Sequence, residues 1–405
     1  MKKYRPLIAL IIAYMFYAVL LNSVGTVISQ SILSFGITKP EGSILEGFKD
    51  ISIAIVSFVV ASFLPRLGYQ KAIIISLIMV SLACFIMPIA PSFNSAKILF
   101  FIIGVSFAMI KVSVYSSIGL INEDPKSHAS FTSIIEGFFM VGVLGGAWIF
   151  AAFVDVKNPN SLSWLNVYYY LGGFGLLAAL LWLFTPLPKI EASAIKSDWR
   201  EDFKAIPALF ASNFLISFLL GIFLYVLIEQ SIGTWLPTYN REILQLNPAM
   251  AIQAGSLFAA FSAIGRLLGG VFLRYFDWVK VLIFCAIATA LIIMIAMQMS
   301  GGDIGKINSW RDAPLKAFFL PLAGLFLGPI YPTINSIVLS SLPKQSQAPM
   351  TGLIIAFSAL GGTMGSFITG QIFGHFGGAF AFYLTLIPVA LMSYSFIILN
   401  KKLGS

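Results

Sequence analysis

Charge is what this sequence has least of. Only 10% of its 405 residues are Asp, Glu, Lys or Arg, against roughly 25% in a soluble domain. So few charged side chains cannot clothe a soluble surface of this size, which excludes a soluble globular enzyme. With 59% of residues hydrophobic, intrinsic disorder and a collagen-like chain are excluded too. Cysteine and histidine are scarcer still, at two each. Cys84 and Cys285 lie about 200 residues apart inside apolar runs, with no Cys-x-x-Cys, so they support neither a disulfide framework nor a zinc site. His128 and His375 stand in or beside loops. No His-Glu-x-x-His, Gly-x-Ser-x-Gly, EF-hand loop or P-loop spacing occurs. No cofactor and no metal are therefore expected, and a membrane enzyme would lack its nucleophile–base pair.

What is abundant is apolar sequence in long runs. Twelve can be marked: 6–34, 45–65, 71–91, 96–122, 131–154 and 164–186, then 206–238, 249–275, 278–299, 313–342, 349–372 and 379–400. We number them spans 1 to 12. Each is long enough to cross about 30 Å of hydrocarbon, some with tilt or a break. The basic start Met-Lys-Lys-Tyr-Arg resembles a signal peptide, but the apolar run behind it is too long for one, so it is read as span 1. The net charge of +9 does not imply nucleic acid, because the basic residues gather at span ends. Of 25 Lys and Arg, sixteen fall on one side and eight on the other, with Lys111 left inside span 4. That bias places both termini in the cytoplasm of a protein integral to the cytoplasmic (inner) membrane.

A charged stretch at 187–205 divides the chain into a six-span bundle over 1–186 and another over 206–405. An internal repeat supports the division. Ala61-Ser-Phe-Leu-Pro-Arg66-Leu-Gly68-Tyr-Gln-Lys71 joins spans 2 and 3, and Gly269-Gly-Val-Phe-Leu-Arg274-Tyr-Phe-Asp277-Trp-Val-Lys280 joins spans 8 and 9 about 208 residues later. Half-chain repeats of this kind are the mark of secondary transporters.

On these residues the sequence resembles the major facilitator superfamily over essentially its whole length. The family's turn signature, Gly-x-x-x-Asp-Arg-x-Gly-x-Lys/Arg-Lys/Arg, is kept at Arg66, Gly68 and Lys71, while Ala61 and Pro65 replace the first Gly and the Asp. Two further stretches are similar to the fucose–galactose–glucose:proton symporter branch: Gly328-Pro-Ile-Tyr331-Pro-Thr-Ile-Asn335 in span 10, and Glu229-Gln230-Ser-Ile-Gly-Thr-Trp235 in span 7. The resemblance implies an all-α polytopic fold of twelve transmembrane helices in two pseudo-symmetric six-helix bundles. It implies gating roles for Arg66, Gly68, Lys71, Arg266, Arg274, Asp277 and Lys280. It also implies a central cavity into which Asn22 and Gln30 of span 1, Gln230 and Trp235 of span 7, and Tyr331 and Asn335 of span 10 can offer amides and rings to a substrate. The branch places a carboxylate in mid-span 4, where this sequence has Lys111.

An ionisable group inside hydrocarbon costs at least about 2.5–3.5 kcal/mol and is a functional candidate by default. Lys111 sits in mid-span 4 beside Ser113 and Tyr115. It reads either as a cation that attracts an anionic substrate, with Tyr115 beside it, or as half of a structural ion pair. Glu229 reads as a proton-carrying carboxylate, as a partner of Lys111, or as an outer-gate ion pair. Gly233 and Pro237, just beyond it, are expected to break span 7. Glu136, early in span 5, reads as a second proton-coupling carboxylate or as an inner-gate partner of Arg66 or Lys71. Tyr168, Tyr169 and Tyr170 are expected to form an interfacial belt.

The expected function is secondary active transport of a small, hydrophilic, anionic solute by alternating access, coupled to protons, by a monomer. Two readings of the same fold stay open: a proton-coupled sugar symporter, and a multidrug or metabolite efflux carrier. Besides the solute and the coupling ion, only the lipid bilayer is expected as a partner, and no nucleic acid.

Overall fold

The computed structural model describes residues 5–121, 125–187, 213–299, 309–341 and 344–403. The side chains at 58, 61–63, 65–66, 118–121, 125–130, 132–133, 213–214, 339–341, 344–349 and 402–403 are outside that description. The charged stretch from residue 188 to 205 and the side chain of Arg66 thus lie outside the described residues.

Helix is the only regular structure among the described spans, as hydrocarbon demands of a chain that must satisfy its own backbone groups. Among the described residues, ten helices are long and apolar enough to cross a bilayer. They match spans 3 to 12. Span 1 is a bent pair, Arg5–Leu21 and Val24–Ser34, meeting at 42°. Span 2 is the 23-residue helix Leu45–Leu67.

The sequence's own signals set the helix ends. Gly68 adopts φ +88°, a left-handed conformation that lets the chain turn within one residue between spans 2 and 3. At the matching turn, the Asp277 carboxylate accepts the N–H groups of Val279 (3.0 Å) and Lys280 (3.4 Å) and starts span 9. Asn247 caps span 8 with Pro248 behind it. Thr38 and Glu41 form a reciprocal capping box on the short helix Lys39–Gly42.

One expectation about a break is corrected. Span 7 is one continuous helix, Asn213–Glu242, straight through Gly233 and Pro237. Contacts on both sides of Pro237 hold its line. The Trp235 indole N–H donates to the Ser366 carbonyl at 2.9 Å, and Arg241 donates to the Ser29 hydroxyl at 3.0 Å. Span 10 crosses as one span but carries a two-residue interruption of its helix, between Lys316–Leu327 and Ile330–Ser341, at Gly328-Pro329. Pro329 has no N–H to carry the helix on.

The chain forms two compact units. One comprises Met1–Val24 and Phe48–Glu201, the other Gly25–Gly47 and Asp202–Ser405. In the first unit, Tyr17, Phe100, Tyr168 and Trp182 are among the largest fully buried side chains. Tyr168 is thereby corrected from interfacial belt to core, whereas Tyr169 and Tyr170 are exposed. In the second unit Phe218, Tyr225, Trp235, Tyr239, Phe382 and Phe396 are fully buried. Val59, Leu82, Leu177, Leu267 and Ile387 are exposed apolar residues, which hydrocarbon tolerates and water would not.

Small residues permit the closest helix approaches. A Cβ on Gly25 would collide with the Thr234 carbonyl oxygen, and one on Gly265 with the Leu325 carbonyl oxygen. Backbones this close are what Gly supplies between membrane helices.

Candidate functional site: a carboxylate among tyrosines in each unit

In the first unit, Glu136 of span 5 is held by two tyrosines. The Tyr14 hydroxyl of span 1 donates to Glu136 Oε1 at 3.2 Å, and the Tyr115 hydroxyl of span 4 donates to the same oxygen. Helical spacing builds the rest. Phe107, Lys111 and Tyr115 recur every four residues and share one face of span 4. Tyr14 stacks on Phe107 (5.9 Å), stands edge-on to Tyr115 (6.4 Å) and leans on Phe139 (4.8 Å). Lys111 Nζ lies 5.8 Å from the Phe107 ring centre, at cation–π range. Lys111 is half-buried and has no acidic partner within 4 Å among the described residues. An aromatic-walled site thus holds a carboxylate and a cation with no ion pair within 4 Å between them among the described residues.

In the second unit, Glu229 of span 7 accepts the Tyr225 hydroxyl at 2.8 Å. Arg266 of span 8 stands 4.0 Å from the same Glu229 oxygen, with its side chain 41% exposed. The Tyr225 ring lies 5.6 Å from that of Tyr331 in span 10, whose hydroxyl reaches Ser358 at 3.4 Å. Each unit therefore sets a carboxylate beside a buried tyrosine of its first span: Glu136 also accepts from Tyr115 of span 4, whereas Tyr331 of span 10 touches the Tyr225 ring rather than Glu229.

The remaining candidates are scattered. Asn22 lies exposed at the bend of span 1 and turns its amide back onto the Ala18 carbonyl at 2.9 Å. Gln30 is 1% exposed, its Nε2 buried without a hydrogen-bond partner among the described residues. Gln230 accepts from Thr234 at 3.3 Å. Trp235 is fully buried, with its N–H spent on Ser366 and its ring 5.7 Å from Phe373. It offers no exposed face. Asn335 is half-buried, with Oδ1 unpartnered among the described residues. Lys71, Arg274, Asp277 and Lys280 are all exposed at the span 2–3 and 8–9 turns. Glu136 makes its described bonds to tyrosines rather than to Lys71.

Tyr14 and Tyr225 were not among the sequence candidates. Tyr225 stands one helical turn before Glu229, and Tyr14 stands 211 residues before Tyr225, close to the 208-residue period of the turns. That periodicity was the available signal.

A family model for the Major Facilitator Superfamily matches residues 7–366. The chain is 23% identical over 360 residues to a glucose/galactose transporter of Brucella abortus, covering 86% of this chain and 82% of that one. Its fold is similar to that of a bacterial homolog of the human lysosomal transporter Spinster in an inward-facing, unoccupied conformation, with TM-score 0.77, 16% identity and coverage of 98% and 97%. It is also similar to the E. coli fucose:proton symporter, with TM-score 0.62, 17% identity and coverage of 98% and 99%. The chain belongs to the major facilitator superfamily: it is a polytopic membrane transporter, not an enzyme.

Proposed function

We propose that this transporter moves a small hydrophilic solute carrying negative charge by alternating access, driven by protons. The observation that carries this reading is Lys111. It is a cation within a span, set against the Phe107 ring with no acidic partner in salt-bridge range among the described residues. At the low effective dielectric of such a site a cation without an ion pair acts strongly on a bound solute. An anionic solute supplies the partner that the described residues do not.

Glu136 is the favoured proton carrier. Its described bonds come from two tyrosine hydroxyls, so among the described residues it takes a proton without giving up an ion pair. Glu229 would have to release Arg266 and serves as a second, charge-paired site. Tyr115, Tyr331, Gln230 and Asn335 supply hydroxyls and amides for the solute, and Arg66, Gly68, Lys71, Arg266, Arg274, Asp277 and Lys280 serve in gating. The bundles 1–186 and 206–405, joined by 187–205, act as the two halves. The protein works as a monomer in the cytoplasmic membrane with both termini inside.

The relative from Brucella abortus favours a second reading, a neutral sugar. The tyrosine and phenylalanine faces of both sites suit a sugar ring equally. A sugar acid satisfies the rings and Lys111 together.

The test is thermal stabilisation of the purified protein by glucose and galactose against glucuronate and galacturonate, with Lys111→Ala in parallel. A ligand at a hundred times its Kd adds about 2.7 kcal/mol of stability. Stabilisation by the acids alone, abolished by Lys111→Ala, is expected. Equal stabilisation of both proteins by the neutral sugars would overturn the anionic reading.

A further inference from the structure

The second unit carries a groove of about 520 Å³ between spans 8, 9 and 10. That lies in the range of small-molecule sites, roughly 300–1,000 Å³. Gly265 and Gly269 form part of its lining, and they are glycine for a reason. Side chains there would strike span 10, since a Cβ on Gly269 would lie 2.6 Å from the Pro329 ring. The missing side chains leave a furrow. Phe272, Phe284 and Phe326 line it further, and Phe272 and Phe284 are among the exposed apolar residues.

One charged residue lines the groove, Lys280, in the first turn of span 9. The acid nearest in sequence, Asp277, spends an oxygen on the N–H groups of Val279 and Lys280. Arg274 is exposed in the same turn. Neither cation has a carboxylate within 4 Å among the described residues. Tyr275 and Phe276, also exposed, are the residue types that settle at the level of lipid headgroups. The turn lies on the side to which the Lys and Arg bias assigns the cytoplasm.

We propose that this groove seats one acyl chain of an anionic phospholipid, with the lipid phosphate on Lys280. An empty furrow facing hydrocarbon would forfeit dispersion contacts on both its walls. Filling it with any acyl chain recovers them, because lipid tails are as apolar as the walls. The acyl chain therefore does not select the lipid; the headgroup does. A zwitterionic lipid offers Lys280 a phosphate already balanced by its own cation, and an anionic lipid offers one that is not. Each basic residue at a membrane surface contributes about fivefold to anionic-lipid attraction.

The experiment is native mass spectrometry of the full-length protein in detergent. It is titrated with phosphatidylglycerol and phosphatidylcholine of identical acyl chains, as wild type, Lys280→Ala, Lys280→Arg and Leu268→Trp. Leu268 lines the groove, and Trp at that position fills it. The wild type should retain phosphatidylglycerol about fivefold better. The preference should vanish in Lys280→Ala and persist in Lys280→Arg, and Leu268→Trp should lose the tightest-bound lipid of either kind. Unchanged melting temperatures without lipid show that the variants are folded. Equal retention of both lipids by the wild type, or a preference that survives Lys280→Ala, would overturn the proposal. So would a dimer whose crosslinks map to Phe272 and Phe284, because a second copy would then occupy the groove.

Discussion

The tyrosine clamp on Glu136 can be tested without knowing the substrate. Tyr14→Phe and Tyr115→Phe keep the rings and their aromatic contacts and delete only the hydroxyls that donate to Glu136 Oε1. Tyr14 is 2% exposed, so no water stands ready to replace its hydroxyl. A hydrogen bond to a charged group contributes about 1.5–3 kcal/mol. In a unit of this size each kcal/mol shifts the melting temperature by about 2–4 °C, so each variant should melt about 3–12 °C lower. The assay is thermal unfolding in detergent at one fixed scan rate, because membrane proteins seldom refold reversibly. The decisive comparison repeats both substitutions in a Glu136→Gln background. If the hydroxyls act through the carboxylate, their effect should shrink by about half or more there, since a neutral amide is a weaker acceptor. Equal losses in both backgrounds would refute the clamp and leave the tyrosines as packing residues alone.

Two further outcomes follow from the packing. Trp235→Phe removes the buried indole hydrogen bond to the Ser366 carbonyl and leaves a gap where the larger ring was, and should cost about 1–3 kcal/mol. Ligand affinity should stay unchanged, and a tenfold loss of affinity at normal stability would restore Trp235 to the binding site. Gly25→Ala drives a methyl into the Thr234 carbonyl and should cost about 1–3 kcal/mol by overpacking, read as a lower melting temperature. An unchanged value would mean that the bend of span 1 yields more easily than its contacts suggest.

The spans were legible because a bilayer leaves composition little freedom. Runs of twenty or more apolar residues can satisfy their backbone only as helices. Local punctuation was less decisive. Pro237 looked like a breaker and is not one, because contacts more than a hundred residues away in sequence fix the helix on either side of it. Pro329 does interrupt span 10, with Gly328 before it and a Gly269 that leaves it room. In the site, Lys111, Tyr115, Glu136 and Glu229 stood out as ionisable or polar groups in hydrocarbon. Their partners did not. Tyr14 meets Glu136 across 122 residues, a pairing that no local pattern encodes. Trp235 shows the opposite error: an aromatic in a polar stretch suggests a ligand face, yet its ring is wedged between spans 7 and 11.

The central claim is that Glu136 carries the coupling proton while Lys111 holds the solute. The most direct measurement uses proteoliposomes loaded with a pH-sensitive dye and given external galacturonate, or whichever sugar acid stabilises the protein. The wild type should acidify the lumen as solute enters. Glu136→Gln should still exchange labelled solute across the membrane but move no protons. Lumenal acidification by Glu136→Gln at the wild-type ratio of protons to solute would contradict the account.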